Sequence, residues 1–307
     1  MRWIGLRPDQ FTFASVFRAY ASLASLEQGR RAHGVMIKSR IKSNVVVYSA
    51  LVDMYFKCSS PQDGHLAFVK SPERNVVTWT ALIAGYGQHG CASEVLTLFD
   101  QMVAEGFTPN HVTFLVVLSA CSRGGLIDKG WKLFNSMTGC YGVRPRVEHY
   151  AAMVDLLGRA GRLDDAYELV QRSSSSGEYP VIWGALLGGS RIHGDLQLAR
   201  LAASKFFELD PNNAGKYTVL SNAYADFGLW EDVERVREMM RRTRMRKDPA
   251  WSWIEVRGVV HTFLVGDQSH QQIEWIRETV KQLSHILSEA VYVPDLEGDH
   301  VGTYYED

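Results

Sequence analysis

Apolar residues recur along the chain in blocks of about a dozen positions, separated by short polar or glycine-containing breaks. Within a block they follow the i, i+3, i+4, i+7 spacing that puts one apolar stripe on an α-helix. In the block after Cys91, Val95, Leu96, Leu98, Phe99 and Met102 share one face, and Gly106 stands where such a helix stops. The blocks come in pairs. "PDQFTFASVFRAY" (residues 8–20) precedes "SLEQGRRAHGVMIKS", "NVVTWTALIAGY" (75–86) precedes "ASEVLTLFDQMVAEG", "PNHVTFLVVLSAC" (109–121) precedes "LIDKGWKLFNSM", and "RVEHYAAMVDLL" (146–157) precedes "RLDDAYELVQR". The first block of each pair enters from a polar or proline-containing turn and carries an aromatic residue a few positions in. Each pair predicts a helical hairpin.

The hairpins repeat. "NVVVYSALVDMY" (44–55) and "NVVTWTALIAGY" (75–86) are near copies, and the boundary residues Asn44, Asn75, Asn110 and Arg146 are 31, 35 and 36 residues apart. A hairpin this small cannot bury its own apolar stripe, so successive units must stack into a superhelix with a continuous core and a concave face. The predicted fold class is therefore all-α, an α-solenoid of helix-turn-helix repeats with a small strand-containing tail.

These residues resemble a pentatricopeptide repeat (PPR) protein of the plant subclass that alternates long, short and standard repeats. On that resemblance residues 1–9 end a truncated repeat, so the chain is expected to begin mid-array. Repeats follow at 10–44, 45–75, 76–110, 111–146 and 147–179. Residues 180–247 ("PVIWGALLGG…" and "AGKYTVLSNAYADFGLWEDVERV…") resemble the subclass's two tetratricopeptide-like extension motifs. Residues 248–290 resemble the opening of its deaminase-like domain, with Ala250 and Trp251 standing where the family has Gly and Cys. Residues 291–307 are acidic and short of apolar partners, so a disordered tail is expected there.

Helical-repeat readers of RNA assign one base to each repeat. By the resemblance, the fifth residue of a repeat and its last residue meet the base edge. These are Ser49 with Asn75 and Thr80 with Asn110, a hydroxyl beside a carboxamide, which the family associates with adenine; two adjacent adenines are expected. Asn44 ends the first repeat but pairs with Ala14, and Leu115 pairs with Arg146, so neither offers a matched polar pair. The second residues Phe11, Val46, Val77 and Val112 are expected to sandwich bases, and Lys132, Arg144 and Arg146 to contact phosphate. The plainer role for Ser49 and Thr80 is to cap their helices or face solvent.

Charge sharpens this picture. Residues 1–147 hold 16 Lys and Arg against 9 Asp and Glu, a net of +7, whereas the rest hold 17 against 25, a net of −8. A basic front half suits a polyanion and an acidic back half suits another task. The four cysteines form no C-x-x-C pair and are expected to be small buried residues. Catalysis is not visible. A cytidine deaminase needs H-x-E and C-x-x-C to hold zinc, and none of the ten histidines has Glu two residues on. His261, His270 and Asp267 are drawn more plainly as polar residues around a strand and turn than as a metal cluster, and no cofactor is expected. In the extension Trp183, Tyr217 and Trp230 are read as core.

The resemblance implies a site-recognition factor for C-to-U RNA editing in mitochondrion or chloroplast. Its partners would be single-stranded RNA, a deaminase-domain protein in trans and small organellar editing cofactors, with no membrane. The alternatives are a tetratricopeptide-like protein scaffold, or a PPR factor for RNA splicing or stability.

Overall fold

The structure is a computed structural model that describes residues 8–39, 41, 44–172, 179–209, 214–242, 251–256, 259–264, 266 and 268–290. The expected tail after residue 290, most of residues 1–9, Ala250 and Asp267 lie outside the described residues. The chain divides into two compact units, Met1–Lys247 and Asp248–Asp307.

The first unit is an α-solenoid. Its helices are α1 (Gln10–Ser22), α2 (Leu26–Ser39), α3 (Val45–Lys57), α4 (Pro61–Val69), α5 (Val76–Gln88), α6 (Ala92–Ala104), α7 (His111–Arg123), α8 (Ile127–Gly139), α9 (Val147–Arg159), α10 (Leu163–Arg172), α11 (Pro180–Ile192), α12 (Leu196–Glu208), α13 (Ala214–Asp226) and α14 (Trp230–Arg242). Each odd-numbered helix from α1 to α11 packs on the next odd-numbered one, and each even-numbered helix from α2 to α12 packs between the odd helix before it and the one after. Two layers of helices result.

The odd helices α1 to α13 are each 13 residues long. The starts of α1, α3, α5 and α7 are set by side chains that fill the orphan N–H groups of a first turn. Asn44 Oδ1 accepts from the Val46 and Val47 amides at 3.1 and 3.2 Å, Asn75 Oδ1 from Val77 and Thr78 at 2.9 and 3.0 Å, and Asn110 Oδ1 from Val112 and Thr113 at 2.9 and 3.0 Å. Asp9 does the same for α1. The near-identical "NVV" starts are thus one capping device used twice.

Their ends repeat too. The amide two residues past the last turn bonds back to a carbonyl inside it: Ser60 to Tyr55, Cys91 to Tyr86, Leu126 to Cys121 and Arg162 to Leu157, all between 2.9 and 3.1 Å. This closure requires a left-handed residue in between. Gly125 supplies it at φ +64 after α7, whereas Ala24 and Ser59 adopt φ 49 and 56 without the freedom of glycine.

The recurring aromatic residue sits at the fourth position of each odd helix, as Phe13, Tyr48, Trp79, Phe114, Tyr150, Trp183 and Tyr217. Four of them meet a ring on the preceding even helix. Phe68–Trp79, Phe99–Phe114, Phe134–Tyr150 and Phe207–Tyr217 stand 4.7 to 5.6 Å apart at interplanar angles of 60 to 87°. Such tilted and edge-on pairs contribute roughly 0.5–1.5 kcal/mol each beyond their burial, and every one of them joins neighbouring repeats. Val95, Leu98, Phe99 and Met102 are buried as their spacing predicts.

Three expectations are corrected. Trp183 and Tyr217 are core, but Trp230, the first residue of α14, is 55% exposed. Cys58 and Cys121 are buried, Cys91 is half-buried and Cys140 is exposed, because it follows α8 where the helix has already left the core. Ser49 and Thr80 cap nothing, since the asparagines hold that position and both hydroxyls bond back into their own helices.

The second unit holds an antiparallel hairpin, β1 (Trp251–Val256) paired with β2 (Val259–Leu264), followed by α15 (Ile273–Ala290). No described helix is long and apolar enough to cross a membrane.

Candidate nucleic-acid interface

The expected base-reading residues gather at the N-terminal ends of neighbouring odd helices. Capping dictates what each can offer. The Oδ1 of Asn75 and of Asn110 is occupied by two backbone amides, so the free half of the side chain is Nδ2, a donor that meets no partner among the described residues. Thr80 Oγ1 donates to the Val76 carbonyl at 2.6 Å and Ser49 Oγ to the Val46 carbonyl at 3.0 Å, so each oxygen is left chiefly as an acceptor. Each pair therefore presents one donor and one acceptor. Ser49 is half-buried, while Thr80 is 9% exposed and lies 2.8 Å from Thr113 Oγ1. Ala14 beside Asn44 is buried and has nothing polar to present.

The second helical positions form a row of exposed apolar groups: Phe11 is 59% exposed, Val77 51% and Val112 44%, with Val46 half-buried. Phe11, Val77 and Val112 stand outside the core, whereas Val46 packs partly against it. The row is interrupted in α9 by Glu148, which is exposed, and resumes at Val181 in α11.

Arg144 and Arg146 lie exposed in the turn entering α9. There His149 replaces the threonine found at the third position of α5 and α7. Its Nδ1 accepts the Arg146 amide at 3.0 Å, and its Nε2 donates to the His111 carbonyl at 2.7 Å. The imidazole thus accepts the N-cap amide as Thr78 and Thr113 do in α5 and α7, while the Arg146 side chain makes no cap hydrogen bond. Lys132 is not with them. It stands on α8, in the even layer, where it lines a cavity of about 490 Å³ with Lys129 and Arg162.

A set of cations absent from the expected list closes the odd helices: Lys57 ends α3, Arg123 ends α7 and Arg159 ends α9, all exposed. Lys57 pairs with Asp53 at 3.0 Å and Arg159 with Asp155 at 3.0 Å. Arg123 Nη2 donates to the Gly87 carbonyl at 3.0 Å, a tie from the end of one odd helix to the end of the previous one. His89 makes the same tie to the Phe56 carbonyl at 3.0 Å and His193 to the Arg159 carbonyl at 3.1 Å. Each of these cations stands 13 residues after its boundary residue, Asn44, Asn110 or Arg146, a usable signal in the sequence.

In the second unit His261 and His270 do come together, Nδ1 to Nε2 at 3.0 Å. The Gln272 amide donates to His270 Nδ1 at 3.1 Å, so the other nitrogen carries the proton and donates it to His261. That makes a hydrogen-bonded pair rather than two open metal ligands. Asp267 lies outside the described residues, and among these no group of three or more His, Cys, Asp or Glu is placed to hold a metal ion.

The sequence profile of the E motif matches residues 193–255, that of the PPR repeat family matches 74–123, and that of the PPR repeat matches 112–140 and 148–177. The chain is a pentatricopeptide repeat protein with an E motif. Among its relatives in Arabidopsis thaliana, the pentatricopeptide repeat-containing protein At4g16470 is 55% identical over 96% of this chain and 59% of its own length. At3g26782, named mitochondrial, is 44% identical over 93% of this chain and 43% of its own length. CRR2, named chloroplastic, is 40% identical over 95% and 44%. The PPR chain thus spans about half the length of the curated relatives it matches. Maize PPR10, solved in complex with an 18-nt psaJ RNA element, shares the fold at a TM-score of 0.50 and 20% identity, over 78% of this chain and 34% of that one.

Proposed function

We propose that this PPR protein is a sequence-selective single-stranded RNA-binding protein that recognises sites for organellar C-to-U editing. The observation that carries RNA reading is the repeated donor–acceptor pair, Ser49 with Asn75 and Thr80 with Asn110, beside an exposed apolar row. A free amide Nδ2 and a hydroxyl acceptor match a base edge that carries an amino group next to a ring acceptor. Adenine and cytosine have that edge; guanine and uracil present a ring N–H and a carbonyl in its place. The family association narrows the choice to adenine. Phe11, Val46, Val77 and Val112 supply sequence-blind stacking of the kind worth about 1–3 kcal/mol per base for aromatic side chains and less for valine. Glu148 puts a carboxylate where the next stacking group would stand. Phosphate contacts fall to Arg144 and Arg146, with Arg123 and Arg159 added and Lys132 set apart on α8.

Editing itself is supported by the E motif. The base chemistry is assigned to a deaminase-domain protein in trans, assisted by small organellar editing cofactors. The organelle is the mitochondrion or the chloroplast, as in the names of the relatives.

Asn110→Asp tests the reading directly. A carboxylate keeps one oxygen on the helix cap and turns the free end from donor to acceptor. Preference at one RNA position is expected to move from adenine toward guanine, by about tenfold or more, in binding of four RNAs that differ only there. An unchanged preference would sink the assignment.

A further inference from the structure

Thr113 occupies the third position of α7, wholly buried, and touches both members of one reading pair. Its Oγ1 lies 2.8 Å from Thr80 Oγ1 and 3.2 Å from Asn110 Oδ1. Counting protons fixes who donates. Thr80 gives its proton to the Val76 carbonyl at 2.6 Å. Asn110 Oδ1 already accepts two backbone amides, so the Thr113 proton goes to the nearer oxygen, that of Thr80. Thr113 in turn accepts the Asn110 amide at 3.4 Å. Thr80 is thereby left with its proton spent, one lone pair spent and a single acceptor lobe of fixed direction.

The neighbouring repeat lacks this lock. Thr78 occupies the equivalent position in α5, but its hydroxyl donates to the Asn75 carbonyl at 3.0 Å and accepts the Asn75 amide at 3.0 Å. Among the described residues Ser49 is bonded only to Val46, and a serine hydroxyl can leave that carbonyl and turn its proton toward a base. A rotor that either donates or accepts tolerates both amino and carbonyl groups. A locked acceptor tolerates only the first.

We propose that Thr113 is a positioning residue that holds Thr80 as a pure acceptor, so that the Thr80–Asn110 repeat rejects uracil and guanine more strictly than the Ser49–Asn75 repeat. The inference rests on base reading by these pairs and specifies its stringency.

The test is binding of the whole chain to single-stranded RNAs that carry each of the four bases at either position, for the natural protein and for Thr113→Val, which keeps shape and removes the hydroxyl. At the Thr80–Asn110 position the preference for adenine over uracil is expected to fall about tenfold, the scale of one hydrogen bond. It should stay unchanged at the Ser49–Asn75 position, and Thr113→Ser should restore it. Full preference retained in Thr113→Val overturns the proposal. A natural protein with no base preference at either position overturns base reading itself, and the proposal with it. If Thr113→Val does not reach native helicity by circular dichroism, Thr113→Cys carries the test: its thiol is a far weaker donor than the hydroxyl, so the preference at the Thr80–Asn110 position should again fall, and full preference retained there overturns the proposal.

Discussion

Under the proposed reading, Asn75 and Asn110 divide one carboxamide between two tasks. Oxygen holds the helix start and nitrogen faces outward. A Ser, Thr or Asp would cap equally well, so capping alone does not explain why asparagine recurs, whereas an outward donor does under the proposed reading. A hydroxyl beside a carboxamide can offer both a donor and an acceptor to a base edge. The structure removes the amide oxygen from the list, because two backbone N–H groups had to be satisfied first. At the same scale the cysteines separate sharply. Burial pushes the Cys121 thiol up to about 11, while Cys140 is exposed. At pH 8 roughly one Cys121 in a thousand is thiolate. Alkylation followed by peptide mass spectrometry is expected to label Cys140 first, and Cys121 and Cys58 only in denaturant. Early labelling of Cys121 would contradict its placement.

Helix ends show why some of the fold was readable. An aromatic four residues after each asparagine, and a glycine 15 after it in two of the repeats, are local signals, and the stacking they imply is what the ring pairs and Schellman-type closures deliver. Ser59 departs from the pattern by holding φ 56 without glycine. A β-carbon costs roughly 1–2 kcal/mol in that conformation, and glycine's extra freedom in the unfolded chain returns part of the gain. Ser59→Gly is therefore expected to stabilise the protein by about 0.5–1 kcal/mol, and Gly125→Ala to destabilise it by about 1 kcal/mol. Thermal melts of the two variants check the opposite signs. What no local pattern revealed is the bridge from Thr113 to Thr80, which spans 33 residues and exists only once α5 lies against α7. Exposure of Trp230 escaped for a similar reason: it opens its helix and sits off the buried stripe of Val233 and Val236.

Across the molecule the two layers divide labour. Rings from both layers fill the core, and the odd helices carry the exposed apolar row, the reading hydroxyls of α3 and α5, and the closing cations of α3, α7 and α9. Period and fold class were legible because stacking identical hairpins forces a repeat into the sequence. The candidate site was legible only through residues at fixed offsets; Lys132 was drawn in by charge without regard to layer, while the exposed cations Arg123 and Arg159 lie outside the expected set. Selection of bound sequences from a randomised single-stranded RNA pool, run at low and high salt, tests RNA reading by the odd helices most directly. Total retention should fall with salt as phosphate contacts release counterions, while two adjacent adenines stay enriched at both concentrations. Retention without any base enrichment, or no retention at either salt, would contradict it.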